Sequence, residues 1–121
     1  MNHAARQYAQ TATAAMSPRE LEASALLKAA ARLQAAGEAA TPSDATLQAA
    51  LDHNRRLWTI FAASMTDPAS MLPEDISARV LSLANFVFNH TLAIQGKADA
   101  ANLAVLVRIN RELAAGLRGR T

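Results

Sequence analysis

The chain has 121 residues, a usual size for one domain, and its 12 Lys and Arg residues against 10 Asp and Glu residues give a formal net charge of only +2. The absence of cysteine excludes a disulfide framework and any thiolate-bound metal, and the three histidines are too far apart in sequence to suggest a ligand set. Four glycines, none of them in a glycine-rich loop, leave no backbone cradle for a nucleotide phosphate. We therefore expect a single domain over residues 1–121, without a cofactor or a bound metal.

Helix-forming residues dominate the chain, and no run alternates β-branched with polar residues, so the sequence predicts an all-α bundle of about five helices. The first helix is predicted over residues 4–15. Ser17, Pro18 and Glu20 then form the capping pattern of a second helix. We expect this second helix to end at Gly37, because glycine readily adopts the left-handed conformation found after many helices.

Three further helices are predicted from the same start and stop signals. The third begins at residues 41–44 and ends at 67–68, the fourth begins at 72–75 and ends at Gly96, and the last begins near Asp99 and ends at Gly116 and Gly119. Apolar residues recur at helical spacing in each of the three and predict one inward stripe per helix. The stripes comprise Leu47, Leu51, Asn54, Trp58, Phe61 and Met65 in the third helix, Ile76, Val80, Leu83, Val87 and Ile94 in the fourth, with Leu81 and Phe88 beside them, and Leu103, Leu106, Val107, Asn110, Leu113 and Leu117 in the last.

Large apolar residues are unevenly distributed along the chain. Of the 32 that remain when alanine is set aside, 7 fall in residues 1–46 and 25 in residues 47–117. Burial of a large apolar side chain contributes roughly 1.5–3 kcal/mol, and an alanine methyl contributes far less. We therefore expect a core mainly from the last three helices, over residues 42–118, and weakly packed N-terminal helices over residues 1–40. Those alanine-rich helices either offer a docking face to a helical partner or form a thin outer layer.

No arrangement of residues predicts catalysis. The acidic pairs Glu20 with Glu22 and Glu74 with Asp75 fall near predicted helix starts, where negative charge complements the helix dipole. His90 lies at the polar margin of an apolar stripe, and a hydrogen-bonded, partly buried histidine is the favoured interpretation. We expect that the protein is not an enzyme.

Basic residues cluster only at the C-terminus, where Arg108, Arg111, Arg118 and Arg120 face the single acidic residue Glu112. A solvated helix end is favoured over a phosphate-binding patch, and direct nucleic-acid binding is not expected.

The longest uncharged stretch, residues 80–96, contains too many polar side chains for a membrane span. The first ten residues lack the continuous apolar region of a secretory signal. We therefore expect no membrane insertion and a cytoplasmic location.

Two asparagines interrupt otherwise apolar stripes. Because a buried amide needs partners, Asn54 and Asn110 are interpreted as making inter-helix or backbone hydrogen bonds, with direct contact to a partner protein as the alternative. Trp58, one turn after Asn54, is expected in the core. Arg55 and Arg56 project from neighbouring faces and either solvate the helix or meet a carboxylate of a partner.

An ordered series of short motifs runs along nearly the whole chain. It comprises ARQY at residues 5–8, SPRELE at 17–22, RL at 32–33, AL at 50–51, NRRLW at 54–58, DP at 67–68, LP at 72–73, LANF at 83–86, His90, Asn110 and GL at 116–117. This series resembles the FlaF family, small proteins of flagellar biosynthesis in alphaproteobacteria.

The resemblance implies a cytoplasmic factor required for flagellin production and export that acts with flagellin and is functionally opposed to, or cooperates with, the translational regulator FlbT. The leading hypothesis is a secretion chaperone that covers the helices flagellin buries on polymerisation, by helix-in-groove recognition. The alternative is a post-transcriptional regulator that acts with FlbT on flagellin mRNA. The oligomeric state is left open. The predicted partner-binding residues are Tyr8, Arg19, Leu26, Leu33, Arg55 and Arg56.

Overall fold

Four α-helices make up most of the computed structural model, which describes residues 17–39, 44–70 and 72–119. Helix α1 spans Pro18–Glu38, α2 Asp44–Met65, α3 Glu74–Ile94 and α4 Ala100–Arg118, and a 3₁₀ turn at Pro68–Ser70 lies between α2 and α3. No strand occurs in these three described ranges, and the predicted all-α fold class is confirmed. Of the five predicted helices, the one over residues 4–15 lies outside the described residues.

The predicted helix starts at Ser17 and Asp99 are confirmed by their caps. Ser17 Oγ accepts a hydrogen bond from the backbone N–H of Glu20 at 3.2 Å, and Pro18 occupies the first position of α1. The carboxylate of Asp99 accepts one from the backbone N–H of Asn102 at 2.8 Å. Each cap satisfies a backbone N–H that has no partner inside its own helix.

The glycines predicted to end helices have different positions in the structure. Gly96 follows α3 with a φ of 80°, as predicted for a left-handed helix terminus. Gly37 instead lies inside α1, so the prediction that it ends this helix is wrong. A Cβ atom on Gly37 would lie 3.0 Å from Leu103 Cδ1, so the missing side chain lets α4 approach closely. Gly116 lies within α4, and Gly119 directly follows the last helical residue.

The helices form a bundle in which α1 and α4 make the most extensive contact of any two helices. These two run antiparallel, since Leu26 lies opposite Asn110 and Gly37 opposite Leu103. Helix α2 packs against both α1 and α3, whereas α3 and α4, although consecutive, contact each other only sparingly. Helix α4 is therefore joined to the rest of the bundle mainly through α1.

Most of the buried apolar residues come from the last three helices, as predicted, but α1 also contributes a buried face to the core. Leu26 and Leu33 of α1 are fully buried, and the other buried residues of α1 are Ala23, Ala29, Ala30 and Ala36. The distance between packed helices depends on the side chains at their contact, so alanines and Gly37 let α1 lie close to its neighbours. Two leucines are then enough to give α1 a continuous buried face.

The inward stripes predicted for α2, α3 and α4 are confirmed. Every residue placed on them is buried or half-buried. Trp58 is 0 % exposed, and its ring lies beside Phe61 with 6.0 Å between the ring centroids. The predicted core position of the tryptophan is therefore correct.

Candidate functional site

A cluster of buried polar groups joins three helices at the centre of the bundle. Trp58 Nε1 on α2 donates a hydrogen bond to Asn110 Oδ1 on α4 at 2.9 Å. Asn110 Nδ2 donates to Asn54 Oδ1 at 2.7 Å and to the backbone carbonyl of Leu26 on α1 at 3.3 Å. The side chain of Asn110 thereby connects α1, α2 and α4.

The two amides of this cluster differ in how fully their hydrogen-bonding groups are satisfied. Asn110 makes three hydrogen bonds, whereas Nδ2 of Asn54 has no partner among the described residues. Both side chains are 0 % exposed. The interpretation that they make inter-helix hydrogen bonds is confirmed, and their burial leaves neither available to a partner protein in this conformation.

His90 ties the second half of α3 to the start of α4. Its Nε2 donates to the backbone carbonyl of Asn102 at 2.9 Å. Its ring stacks on that of Phe86, with 5.5 Å between centroids and 12° between planes. The prediction of a hydrogen-bonded, partly buried histidine is confirmed.

The acidic residues near the helix starts have structural partners or positions that account for them. Glu20 lies in the first turn of α1, and Glu74 and Asp75 lie in the first turn of α3. Glu22, one position beyond the first turn of α1, accepts hydrogen bonds from Arg19 Nη1 on both carboxylate oxygens at 2.9 Å. Among the residues that the structure describes, no group of three His, Cys, Asp or Glu side chains could hold a metal ion.

The structure separates the residues that the sequence predicts to bind a partner. Tyr8 lies outside the described residues, and Arg19 is half-buried in its ion pair with Glu22. Leu26 and Leu33 are both 0 % exposed. A partner cannot reach these two side chains while α1 and α4 are packed together, contrary to the prediction, because both are needed for the core.

The two predicted arginines of α2 are exposed on different sides of the helix. Arg55 lines a groove between α2 and α3 with a volume of about 440 Å³, together with Asp52, Phe88 and Leu92. Arg56 is exposed and is not among the residues that line this groove. The two arginines therefore lie on different surfaces, and only Arg55 borders the α2–α3 groove.

Four large apolar side chains remain exposed in the described part of the chain: Leu21 at 39 %, Ile60 at 66 %, Phe86 at 46 % and Leu92 at 71 %. Leu21 and Ile60 line opposite walls of a groove between α1 and α2 with a volume of about 240 Å³. The sequence analysis missed these residues because it followed only the inward stripes. They could have been recognised in the sequence as large apolar residues that lie outside a predicted stripe. Ile60, two positions after Trp58, is one example.

Positive charge is spread over the described surface. The described cations are Arg19, Lys28, Arg32, Arg55, Arg56, Arg79, Lys97, Arg108, Arg111 and Arg118. Near the C-terminus, Arg108 lies 4.0 Å from the carboxylate of Glu112, and Arg111 donates a hydrogen bond to Gln34 on α1. None of the helices in the described ranges has the length and apolar character that crossing a membrane requires.

A protein-family model described as flagellar protein FlaF matches residues 4–117 of the chain. The chain belongs to the FlaF family. The match covers nearly the full length and confirms the resemblance carried by the ordered motifs. Comparisons with curated proteins and with solved structures gave no match.

In this FlaF-family protein, several residues that carried the resemblance turn out to be internal. Asn54, Trp58 and Asn110 form the buried polar cluster, and they join helices rather than present a surface. The candidate binding site of this FlaF protein therefore lies on the grooves between helices, which other residues line.

Proposed function

We propose that this FlaF-family protein binds flagellin in the bacterial cytoplasm and acts as a chaperone for its secretion. Family membership supports a flagellar role. Flagellin subunits bury long terminal helices when they polymerise, and a protein that covers those helices would keep subunits apart until export. Recognition of an amphipathic helix by an apolar groove suits such a task and needs no catalytic group.

The observation that carries the proposal is the exposure of large apolar side chains along a groove between two helices. Leu21 and Ile60 border the α1–α2 groove from opposite walls. Single exposed apolar residues are common on soluble proteins, but their pairing along a groove is a feature of binding surfaces. A groove between two packed helices accepts the side-chain ridge of a third helix.

The charge distribution supports a protein partner more than direct binding of flagellin mRNA. Proteins that bind nucleic acid through its phosphates gather their cations on one face. The described cations of this chain lie on all four helices and on the loop before α4. Action on mRNA together with FlbT would accordingly proceed through contacts between proteins.

A binding titration with freshly depolymerised flagellin tests the proposal. We expect flagellin monomers to bind with an affinity that changes by less than about tenfold between low and moderate salt, because apolar burial depends little on ionic strength. Assembled flagellar filaments, whose terminal helices are buried, are the control and should bind poorly. Flagellin leader RNA, with and without FlbT, is titrated in parallel.

The two hypotheses give opposite results in this assay. Absence of flagellin binding, together with tight RNA binding that weakens steeply with salt, would overturn the chaperone proposal. RNA binding that appears only when FlbT is added, without binding to flagellin, would favour the regulatory alternative.

A further inference from the structure

The α1–α2 groove combines an apolar end with exposed large side chains on both walls. Leu21 and Ala25 line it from α1, and Leu57 and Ile60 line it from α2. Phe61, only 5 % exposed, also borders the groove. Two of the four exposed large apolar residues of the described chain therefore meet at one place.

Basic residues continue the same helix faces beyond this apolar end. Lys28 and Arg32 lie seven and eleven residues after Leu21 on α1, at spacings that keep them on the same face of the helix. At the helical rise per residue, they lie roughly 10 Å and 16 Å from Leu21 along the helix axis. On α2, Arg56 lies one turn before Ile60. All three cations are exposed.

The positive charge of Lys28 and Arg32 is not compensated along their own helix. No acidic residue lies three or four positions before or after either of them, and the two are themselves four positions apart, which is an unfavourable spacing for like charges. At the apolar end the situation is different, because Glu22 is paired with Arg19 at 2.9 Å. The uncompensated charge on the helix faces that continue beyond the α1–α2 groove is therefore positive.

We infer that the α1–α2 groove is the docking site for an amphipathic helix of flagellin that carries acidic side chains. An aliphatic side chain of that helix enters the groove between Leu21 and Ile60. Its acidic side chains, two to three turns from this aliphatic anchor, lie against Lys28 and Arg32 and relieve the repulsion between them. The inference rests on the proposed function and specifies where and how flagellin binds.

The other surfaces carry less information about an occupant. The α2–α3 groove contains charges of both signs, Asp52 and Arg55, beside Leu92, and so favours no sign of charge on a partner. The α1–α4 groove has the small residues Gly37 and Ala104 in its lining, and it also bears charges of both signs. Among the residues that line the α1–α2 groove, only Glu22 is charged, and it is paired with Arg19. The basic residues lie beyond the groove on the same helix faces as Leu21 and Ile60, a pattern that fits an amphipathic helix better than a phosphate backbone.

A pair of matched substitutions tests the apolar part of the site. Ile60→Asp places a charge in the α1–α2 groove, and Leu92→Asp makes the same kind of change at a similarly exposed residue on the α2–α3 groove. We expect Ile60→Asp to weaken flagellin binding by at least about tenfold and Leu92→Asp to change it by less than about twofold. Helical circular dichroism and the urea midpoint of both variants establish that each remains folded.

A second pair tests the charges. The double variant Lys28→Glu/Arg32→Glu is compared with Arg79→Glu/Lys97→Glu, which changes the net charge by the same amount at exposed positions elsewhere. Because charges beside an interface act mainly on encounter, we expect the first variant to associate with flagellin roughly tenfold more slowly at low salt. This difference should shrink at high salt, whereas the dissociation rates of the two variants should be similar.

The outcomes separate this inference from the proposed function. If the unaltered protein binds flagellin and Ile60→Asp binds equally well, the docking site is wrong while the chaperone proposal stands. The docking site is also wrong if the Arg79/Lys97 variant loses association as much as the Lys28/Arg32 variant. If the unaltered protein binds leader RNA but no flagellin, both the proposed function and the docking site are overturned.

Discussion

The unequal hydrogen bonding of the two buried asparagines leads to a measurable difference in stability. Leucine has nearly the shape of asparagine, so Asn110→Leu and Asn54→Leu remove polar groups without opening large cavities. Asn110→Leu leaves two buried groups newly without partners, the indole N–H of Trp58 and Oδ1 of Asn54. At roughly 1–3 kcal/mol for each such group, the free energy of unfolding should fall by roughly 2–6 kcal/mol.

Asn54→Leu should have a much smaller effect. It removes one hydrogen bond to Asn110, but it also removes Nδ2 of Asn54, a buried donor without a partner among the described residues. The amide nitrogen of Asn110 keeps its bond to the carbonyl of Leu26. The other N–H of that nitrogen loses its acceptor on Asn54. One unsatisfied buried amide nitrogen is thus removed while one N–H becomes unsatisfied, and we expect the free energy of unfolding to change by less than about 1 kcal/mol.

Urea unfolding followed by circular dichroism and by the fluorescence of Trp58, the only tryptophan of the chain, measures both changes. The two probes should give the same midpoint for each variant, with an unchanged dependence of the free energy on urea. Equal losses for the two variants would refute the argument, because they would show that the hydrogen bonds made by Asn110 and by Asn54 are worth the same.

Three further predictions concern packing. Trp58→Ala should lower the free energy of unfolding by roughly 3–5 kcal/mol, as removal of a buried aromatic ring does, and a smaller loss measured by urea unfolding would contradict its core position. Gly116→Ala should raise the thermal midpoint, since a Cβ there meets nothing within 4 Å and alanine favours helix by about 1 kcal/mol, whereas Gly37→Val should lower it by crowding Leu103. Hydrogen exchange should show amides in the middle of α1 as protected as those in the middle of α4, and rapid exchange confined to α1 would show that its alanine packing is weak.

Much of the fold could be predicted because its signals are local. A cap such as Ser17 satisfies backbone groups within its own turn, and the position of Trp58 on a stripe depends only on helical spacing. Gly37 shows the limit of this reasoning, because a glycine that ends a helix and a glycine that admits a neighbouring helix look the same in sequence. Only the position of Leu103 distinguishes them.

The core and the candidate site were harder to predict because they depend on which helices lie side by side. Counting large apolar residues undervalued α1, where alanines bring the helix close enough to bury Leu26 and Leu33 completely. The same closeness removed both leucines from the predicted binding surface. The α1–α2 groove could not be foreseen from either stripe alone, since Leu21 and Ile60 come together only through lateral packing of the two helices.

The pairing of the first described helix with the last one has a consequence for synthesis on the ribosome. Helix α1 is complete at Glu38, but its most extensive partner is complete only at Arg118. At about 5–20 residues per second, the nascent chain needs roughly 4–16 seconds to cover this interval. During that time Leu26 and Leu33 have no α4 to pack against, so the newly made chain passes through a stage in which the apolar face of α1 lacks its main cover.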